Sequence, residues 1–281
     1  MDDATAQVER MVRDAGTSFY WAMRFQPVDK KNAIFAVYAF CRAVDDVADS
    51  DAPVKTKTTQ LKAWRATIEK LYRGHPSDVI TQALVPAKNT FKLEKKAFLA
   101  IIDGMEMDAR GPIQAPSRKQ LDLYCARVAS AVGLLCIRIF GESGKEGQEL
   151  ADALGRALQL TNILRDLKED ADWDRLYLPA DLLKKHGIKT HEPKKVLAHP
   201  NLEAVCRELA EVAEAEFTRA GAVMAKCNAK DIRPARIMKD VYYKTLQRLK
   251  KRGWGRDAVQ QTKSPVSKFE KLLIALKVAL T

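Results

Sequence analysis

The chain has 281 residues, 47% of them hydrophobic, with 13 Gly and 11 Pro; that is enough apolar material to bury a full core and excludes a disordered chain. Most Pro fall between periodic segments, which favours long helices over many short strands. Lys and Arg outnumber Asp and Glu by 48 to 36, a net charge of +12, which suits an anionic membrane surface or substrate; the lysines are scattered without interleaved aromatics, so no nucleic-acid partner is expected.

The N-terminal run MDDATAQVER is acidic and lacks an apolar stretch, so no signal peptide is expected. No uncharged apolar run of about 18 residues marks a membrane span. The expectation is a cytoplasmic protein, soluble or peripherally attached to the inner face of the membrane. The first strong helical pattern runs from 30 to about 49 and is ended by the stretch 50–53; further helices are predicted over about 54–72, 92–109, 117–141 and 145–170. After a turn at Tyr177-Leu178-Pro179 come helices over 201–227 and 234–252, and a last one from about 266 to the end. About ten helices with short connections, no low-complexity linker and no repeat make residues 1–281 one all-α domain. Cys41, Cys125, Cys136, Cys206 and Cys227 are odd in number and show no CxxC spacing, as expected of reduced core thiols.

Within the first helix the stretch YAFCRAVDDVAD (38–49) places Asp45, Asp46 and Asp49 in an apolar run. Like charges at that range repel, and a buried unpaired carboxylate takes up a proton unless a cation is near. A second stretch, QLTNILRDLKED (159–170), repeats the pattern: Asn162, Asp166 and Asp170 recur every four residues and share a helix face. Two carboxylate ledges facing one another across a cavity would hold magnesium, which takes oxygen ligands, keeps several waters and is completed by diphosphate oxygens. Arg42 lies one turn before Asp45, and Arg165 immediately precedes Asp166; the guanidinium fork matches phosphate oxygens. A single DxxxD reads as a surface charge pair. Two of them, set among Ala39, Phe40, Val44, Leu158, Leu160, Ile163 and Leu164, do not.

With these residues in place the chain resembles the squalene and phytoene synthase family from about residue 18 to 254. The similarity is carried by Ser18-Phe19, Pro27, Tyr38, Arg42, Asp45, Asp46 and Asp49; by Tyr124-Cys125, Val128-Ala129 and Val132-Gly133; by Gln159, Asn162, Arg165, Asp166 and Asp170; and by Arg175 with Tyr177-Leu178-Pro179. Within the family, YCARVASAVGLLCIRIFG and SFYWAMR are most similar to the bacterial presqualene diphosphate synthases of hopanoid biosynthesis. Gln26 before Pro27, and Ala126 where close relatives carry an acid, depart from the pattern.

The resemblance implies a class I isoprenoid synthase bundle around a central apolar cavity, joining two farnesyl diphosphates head to head to a cyclopropyl diphosphate. It implies magnesium, with manganese as substitute, held by Asp45, Asp49, Asn162, Asp166 and Asp170, and no requirement for NADPH. Tyr124 is assigned to the reacting carbons. Ser18, Tyr38, Arg42, Gln159, Asn162, Arg165, Arg175 and Tyr242 are assigned to substrate, and small residues Ala129, Ser130, Ala131 and Gly133 to leaving room for farnesyl chains. The alternatives are a complete NADPH-dependent squalene synthase, a phytoene or dehydrosqualene synthase acting on C15 or C20 chains, and a scaffold protein derived from the family; intact ledges argue against the last. Downstream enzymes of the pathway are expected partners.

Gly141, Gly144, Gly147 and Lys145 fit neither dinucleotide nor phosphate-loop spacing, and His75, His186, His191 and His199 form no zinc motif. The C-terminal SKFEKLLIALKVAL sets Phe269, Leu272, Leu273, Leu276 and Leu280 on one stripe with Lys268, Lys271 and Lys277 off it. Such a helix either lies in a membrane interface or packs on the domain.

Overall fold

The computed structural model describes residues 3–15, 23, 26–261 and 265–280. Its helices are α1 (Asp3–Asp14), α2 (Val28–Ala48), α3 (Val54–Tyr72), α4 (Val79–Phe91) and α5 (Lys95–Ala109), then α6 (Arg118–Cys125), which continues through a π-helical turn (Ala126–Ser130) into α7 (Ala131–Phe140). They are followed by α8 (Lys145–Arg165), α9 (Leu167–Asp172), α10 (Ala180–Lys185), α11 (Pro193–Leu197), α12 (Leu202–Met224), α13 (Arg233–Arg252) and α14 (Lys268–Leu280). The described residues are thus helical, as the Pro and Gly distribution predicts. Their one strand-like feature is an isolated parallel bridge between Gln114 and Leu176.

Four helices escape the sequence reading, the short α10 and α11 and two longer ones. α1 is one; α4 is the other, and it contains Pro86, whose missing N–H and ring disfavour a helix interior. A reciprocal cap supports its start: Asp78 Oδ1 accepts from the Thr81 N–H at 2.9 Å while Thr81 Oγ1 accepts from the Asp78 N–H at 3.1 Å, a device worth about 1 kcal/mol. The helix expected over 92–109 starts later because Lys92 adopts a left-handed conformation that closes α4. Ser117 and Gln120 form the same kind of box ahead of α6.

Buried apolar side chains from α1 through α13 form one continuous cluster among the described residues. α2 is buried on most of its circumference, and its Phe40 meets Phe98 of α5 edge-on at 5.1 Å and Trp64 of α3 at 5.7 Å. α7 packs against both α2 and α8, so the two acidic helices flank it. The run Arg118–Phe140 is long and apolar enough to cross a membrane by length and composition. It serves instead as the central wall of the bundle, between α5 and α8.

The π turn widens this central helix, and neighbours make room for it with missing side chains. A Cβ on Gly155 of α8 would stand 2.7 Å from the Ser130 Cα, and one on Gly104 of α5 would stand 2.6 Å from Val128 Cγ1. A single π turn inserted in an α-helix is frequently found at a functional site. Here it lies immediately after Tyr124 and Cys125.

Candidate active site

The first ledge stands at the C-terminal end of α2. Asp45 and Asp49 keep the one-turn relation, the Asp49 N–H donating to the Asp45 carbonyl at 2.9 Å. Arg42 reaches Asp46 at 2.6 Å and Asp45 at 3.5 Å, all three side chains being substantially exposed. Partial desolvation by the surrounding protein, with the like charge of Asp49 next, pushes the half-exposed Asp45 carboxyl up to about 6.

The second ledge departs from the expected single helix over 145–170: α8 ends at Arg165 and α9 begins at Leu167, with Asp166 at φ −101°, ψ 15° between them. The cause lies far away in sequence. The Trp254 indole, 1% exposed, donates Nε1–H to the Leu164 carbonyl at 2.9 Å, occupying an acceptor that an unbroken helix would give to residue 168. The ledge survives the break, because Asp166 N–H still donates to the Asn162 carbonyl and Asp170 N–H to the Asp166 carbonyl, both at 2.8 Å. Arg165 grips Asp166 with two hydrogen bonds of 2.6 Å. Burial, then the Asp166 charge, pushes Asp170 up to about 8.

Arg175 ties the ledges together by donating to Asp49 at 2.9 Å. Its placement comes from the segment following α9, which is zipped onto the loop before α6: Leu176 N–H donates to the Ile113 carbonyl at 2.7 Å and Ala115 N–H to the Leu176 carbonyl at 2.8 Å. In such an extended segment residues two apart share a face. Arg175 and Tyr177 accordingly point the same way, one to the ledge and the other to Asp108 behind it.

Beneath the ledges a cavity of about 220 Å³ is bounded by Val128 and Ala129 of the π turn, Val132 and Gly133 of α7, Leu154, Gly155 and Leu158 of α8, and Met238 of α13. Its polar residues are Gln159, Asn162 and Tyr242. Burial raises the pKa of the Tyr242 hydroxyl, and the neighbouring Arg165 and Asn162 side chains pull it back. Asn162 Oδ1 is buried with no hydrogen-bond partner. That orphaned oxygen, two carboxyls held above their ordinary values partly by neighbouring like charge, and a donor set made of oxygen alone fit a hard divalent cation. Among the described residues no three His, Cys, Asp or Glu converge on one point, so water or substrate oxygens would complete the shell.

Of the residues singled out in the sequence, Gln159, Asn162 and Tyr242 line the cavity, and Asp45, Asp49, Asp166, Asp170, Arg165 and Arg175 gather at its mouth around the Arg175–Asp49 pair. Tyr38 lies half-buried against the core one turn before Arg42. Tyr124 is buried one turn before Val128 and stacks on Tyr177. Ser18 lies outside the described residues. Ala129 and Gly133 border the cavity as expected, but Ser130 and Ala131 do not: the Ser130 hydroxyl faces α8 and donates to the Asp152 carbonyl at 3.3 Å.

Sequence reasoning missed Asp108, a carboxyl 8% exposed at the end of α5. It accepts from the Tyr177 hydroxyl at 2.7 Å and the Tyr124 hydroxyl at 3.0 Å. One signal was available: Asp108 continues the apolar stripe of Phe98, Ile101 and Met105.

The family description squalene/phytoene synthase matches residues 12–270. A presqualene diphosphate synthase of Rhodopseudomonas palustris is 47% identical over 265 residues, covering 94% of this chain and 94% of its own length. One from Sinorhizobium fredii is 44% identical and covers 90% of each chain; a phytoene synthase of Mycobacterium tuberculosis is 38% identical over 67% of this chain and 62% of its own. Among solved structures, a dehydrosqualene synthase in complex with ligand shares the fold with a TM-score of 0.87 at 28% identity, over 99% of this chain and 95% of that one.

Proposed function

The chain belongs to the squalene/phytoene synthase family, and we propose that it is a prenyltransferase that condenses two farnesyl diphosphates head to head into presqualene diphosphate, releasing one diphosphate. The observation that carries this reading is the pair of carboxylate ledges joined by Arg175 and Asp49 at the mouth of a largely apolar cavity, in a chain 47% identical to a presqualene diphosphate synthase over nearly its whole length.

Magnesium, on which this class of synthase generally depends, would be held by Asp45, Asp49, Asn162, Asp166 and Asp170, and when bound supplies the positive charge that stabilises the departing diphosphate. The chain's own residues do the rest. Arg165 and Arg42, which stand beside the ledge carboxylates, have guanidinium forks that match phosphate oxygens and would bind the substrate diphosphate. Arg175 keeps the ledges in register. The walls formed by Val128, Ala129, Val132, Leu154 and Leu158 exclude water, which would otherwise capture an allylic cation. Tyr124, stacked on Tyr177 one turn before the cavity residue Val128, would offer its other ring face to positive charge.

The proposed reaction ends at the cyclopropyl diphosphate and consumes no NADPH. Purified protein incubated with farnesyl diphosphate and Mg²⁺, with and without NADPH, is expected to accumulate a C30 diphosphate in both samples, identified by mass spectrometry without phosphatase treatment. Squalene formed only with NADPH would make it a complete squalene synthase.

We further propose peripheral contact with the inner membrane face through α14. Arg248 and Lys244 of α13 clamp Glu270, at 2.5 and 3.0 Å, and Val278 is buried. This orientation leaves Phe269 68% exposed, with Leu272 and Leu273 beside it; Leu276 and Leu280 lie outside the described side chains.

A further inference from the structure

The Asp108 carboxyl belongs to neither ledge, yet among the described residues it is the one acid that is buried. Both of its oxygens are engaged: Oδ1 accepts from the Tyr177 hydroxyl at 2.7 Å and Oδ2 from the Tyr124 hydroxyl at 3.0 Å. The two phenol oxygens are 3.3 Å apart and the rings stack at 4.9 Å between centroids. An acid whose two oxygens both accept is bonded as a carboxylate. Burial pushes its pKa up, and the tyrosine hydroxyls and the nearby Arg175 pull it back; Asp49 and, from the other ledge, Asp170 face it with negative charge. Tyr124, whose own pKa burial holds well above the ordinary value, stays a neutral phenol with its proton committed to Asp108. The remaining lone pair on its oxygen is an acceptor.

The reaction proposed above requires such an acceptor. The ring contains C1 of the donor and C2 and C3 of the acceptor. Once the C1–C2 bond has formed, positive charge rests on C3, and the closing C1–C3 bond must take its electron pair from a C1–H bond. We propose that Asp108 is the terminal acceptor of that proton: as the C1–H bond breaks, the proton passes to the Tyr124 oxygen and the Tyr124 hydroxyl proton passes to Asp108. Asp108 acts through Tyr124 and is a positioning and relay residue, with Tyr177 holding its other oxygen. The competing acceptor is the diphosphate released in the first step.

The inference rests on the functional reading, and the test separates the two. Wild-type protein and the Asp108→Asn, Tyr124→Phe and double variants are assayed with Mg²⁺ and with farnesyl diphosphate carrying either hydrogen or deuterium at C1, following diphosphate release and C30 products. Asparagine keeps the size and one acceptor oxygen but cannot take the proton. The expected result is a loss of cyclopropyl product of about 10²-fold or more, with diphosphate release continuing into non-cyclopropyl C30 products, and a deuterium effect larger than in wild type. The double variant should be no slower than the slower single, because both substitutions break one chain. If diphosphate release and C30 product fall in parallel with a wild-type deuterium effect, Asp108 only shapes the site and the relay is overturned. Should Asp108→Asn not accumulate as folded protein, Tyr124→Phe decides alone, and an unchanged deuterium effect there refutes the relay. Wild-type protein that makes no C30 diphosphate overturns the functional reading and the relay with it.

Discussion

Replacing Asp170 with Asn should make the metal-free protein more stable and the enzyme inactive. Asp170 is held at about 8 against an ordinary aspartate value of 3.8, by burial and then by Asp166. Well below pH 3.8 the group is protonated in folded and unfolded chain alike and contributes nothing. As pH rises towards 8 the unfolded carboxyl ionises freely while the folded one resists, so stability drains away across that window and levels off above it. At ~1.36 kcal/mol per unit the full gap corresponds to roughly 6 kcal/mol. Asp170 is only partly buried, and solvent and relaxation screen much of this, leaving an expected gain for the variant of about 1–2 kcal/mol at pH 8. In thermal unfolding without divalent cations that is a rise of about 2–8 °C, shrinking to nothing well below pH 3.8. Mg²⁺ with inorganic diphosphate should reverse the order, since only the wild type retains the full oxygen set, and cation affinity should grow with pH as the carboxyls release protons. A variant less stable than wild type at pH 8, or a difference independent of pH, refutes the assignment of Asp170 as a carboxylate strained for a cation.

Two further outcomes test other parts of the molecule. Gly155→Ala brings a Cβ within 2.7 Å of Ser130 backbone atoms and 2.9 Å of the Ala129 carbonyl carbon; an overpacking cost of about 1–3 kcal/mol competes with a helix-propensity gain of about 0.8–1 kcal/mol. A lower unfolding temperature and less C30 product are therefore expected, and a more stable variant would show that the π turn gives way freely. Substituting Phe269, Leu272 and Leu273 together with Ser should weaken sedimentation with anionic vesicles on the order of tenfold or more, leaving turnover in detergent unchanged; vesicle binding equal to wild type refutes the α14 contact.

The ledges were legible in the sequence because a four-residue recurrence is a property of one helix and needs no partner to be recognised. What surrounds them was not, wherever the cause is remote. Nothing in QLTNILRDLKED announces a break at Asp166, because the hydrogen bond at the break comes from Trp254, 90 residues further on. α4 went unread because Pro86 speaks locally for a turn while the Asp78–Thr81 cap and its packing on α1 and α2 decide for a helix. Asp108 shows the same limit where it matters most. Its place on the apolar stripe of α5 hints at burial, but at the helix end, beside Glu106 and Arg110, it has the look of a solvated charge. Its burial is made by Tyr124 and Tyr177, 16 and 69 residues away, and the bridge between Gln114 and Leu176 is what delivers the second of them. The carboxylates that meet substrate lie on helix faces that the chain writes out in order; the carboxylate that holds the tyrosines is created only when three distant segments close over it.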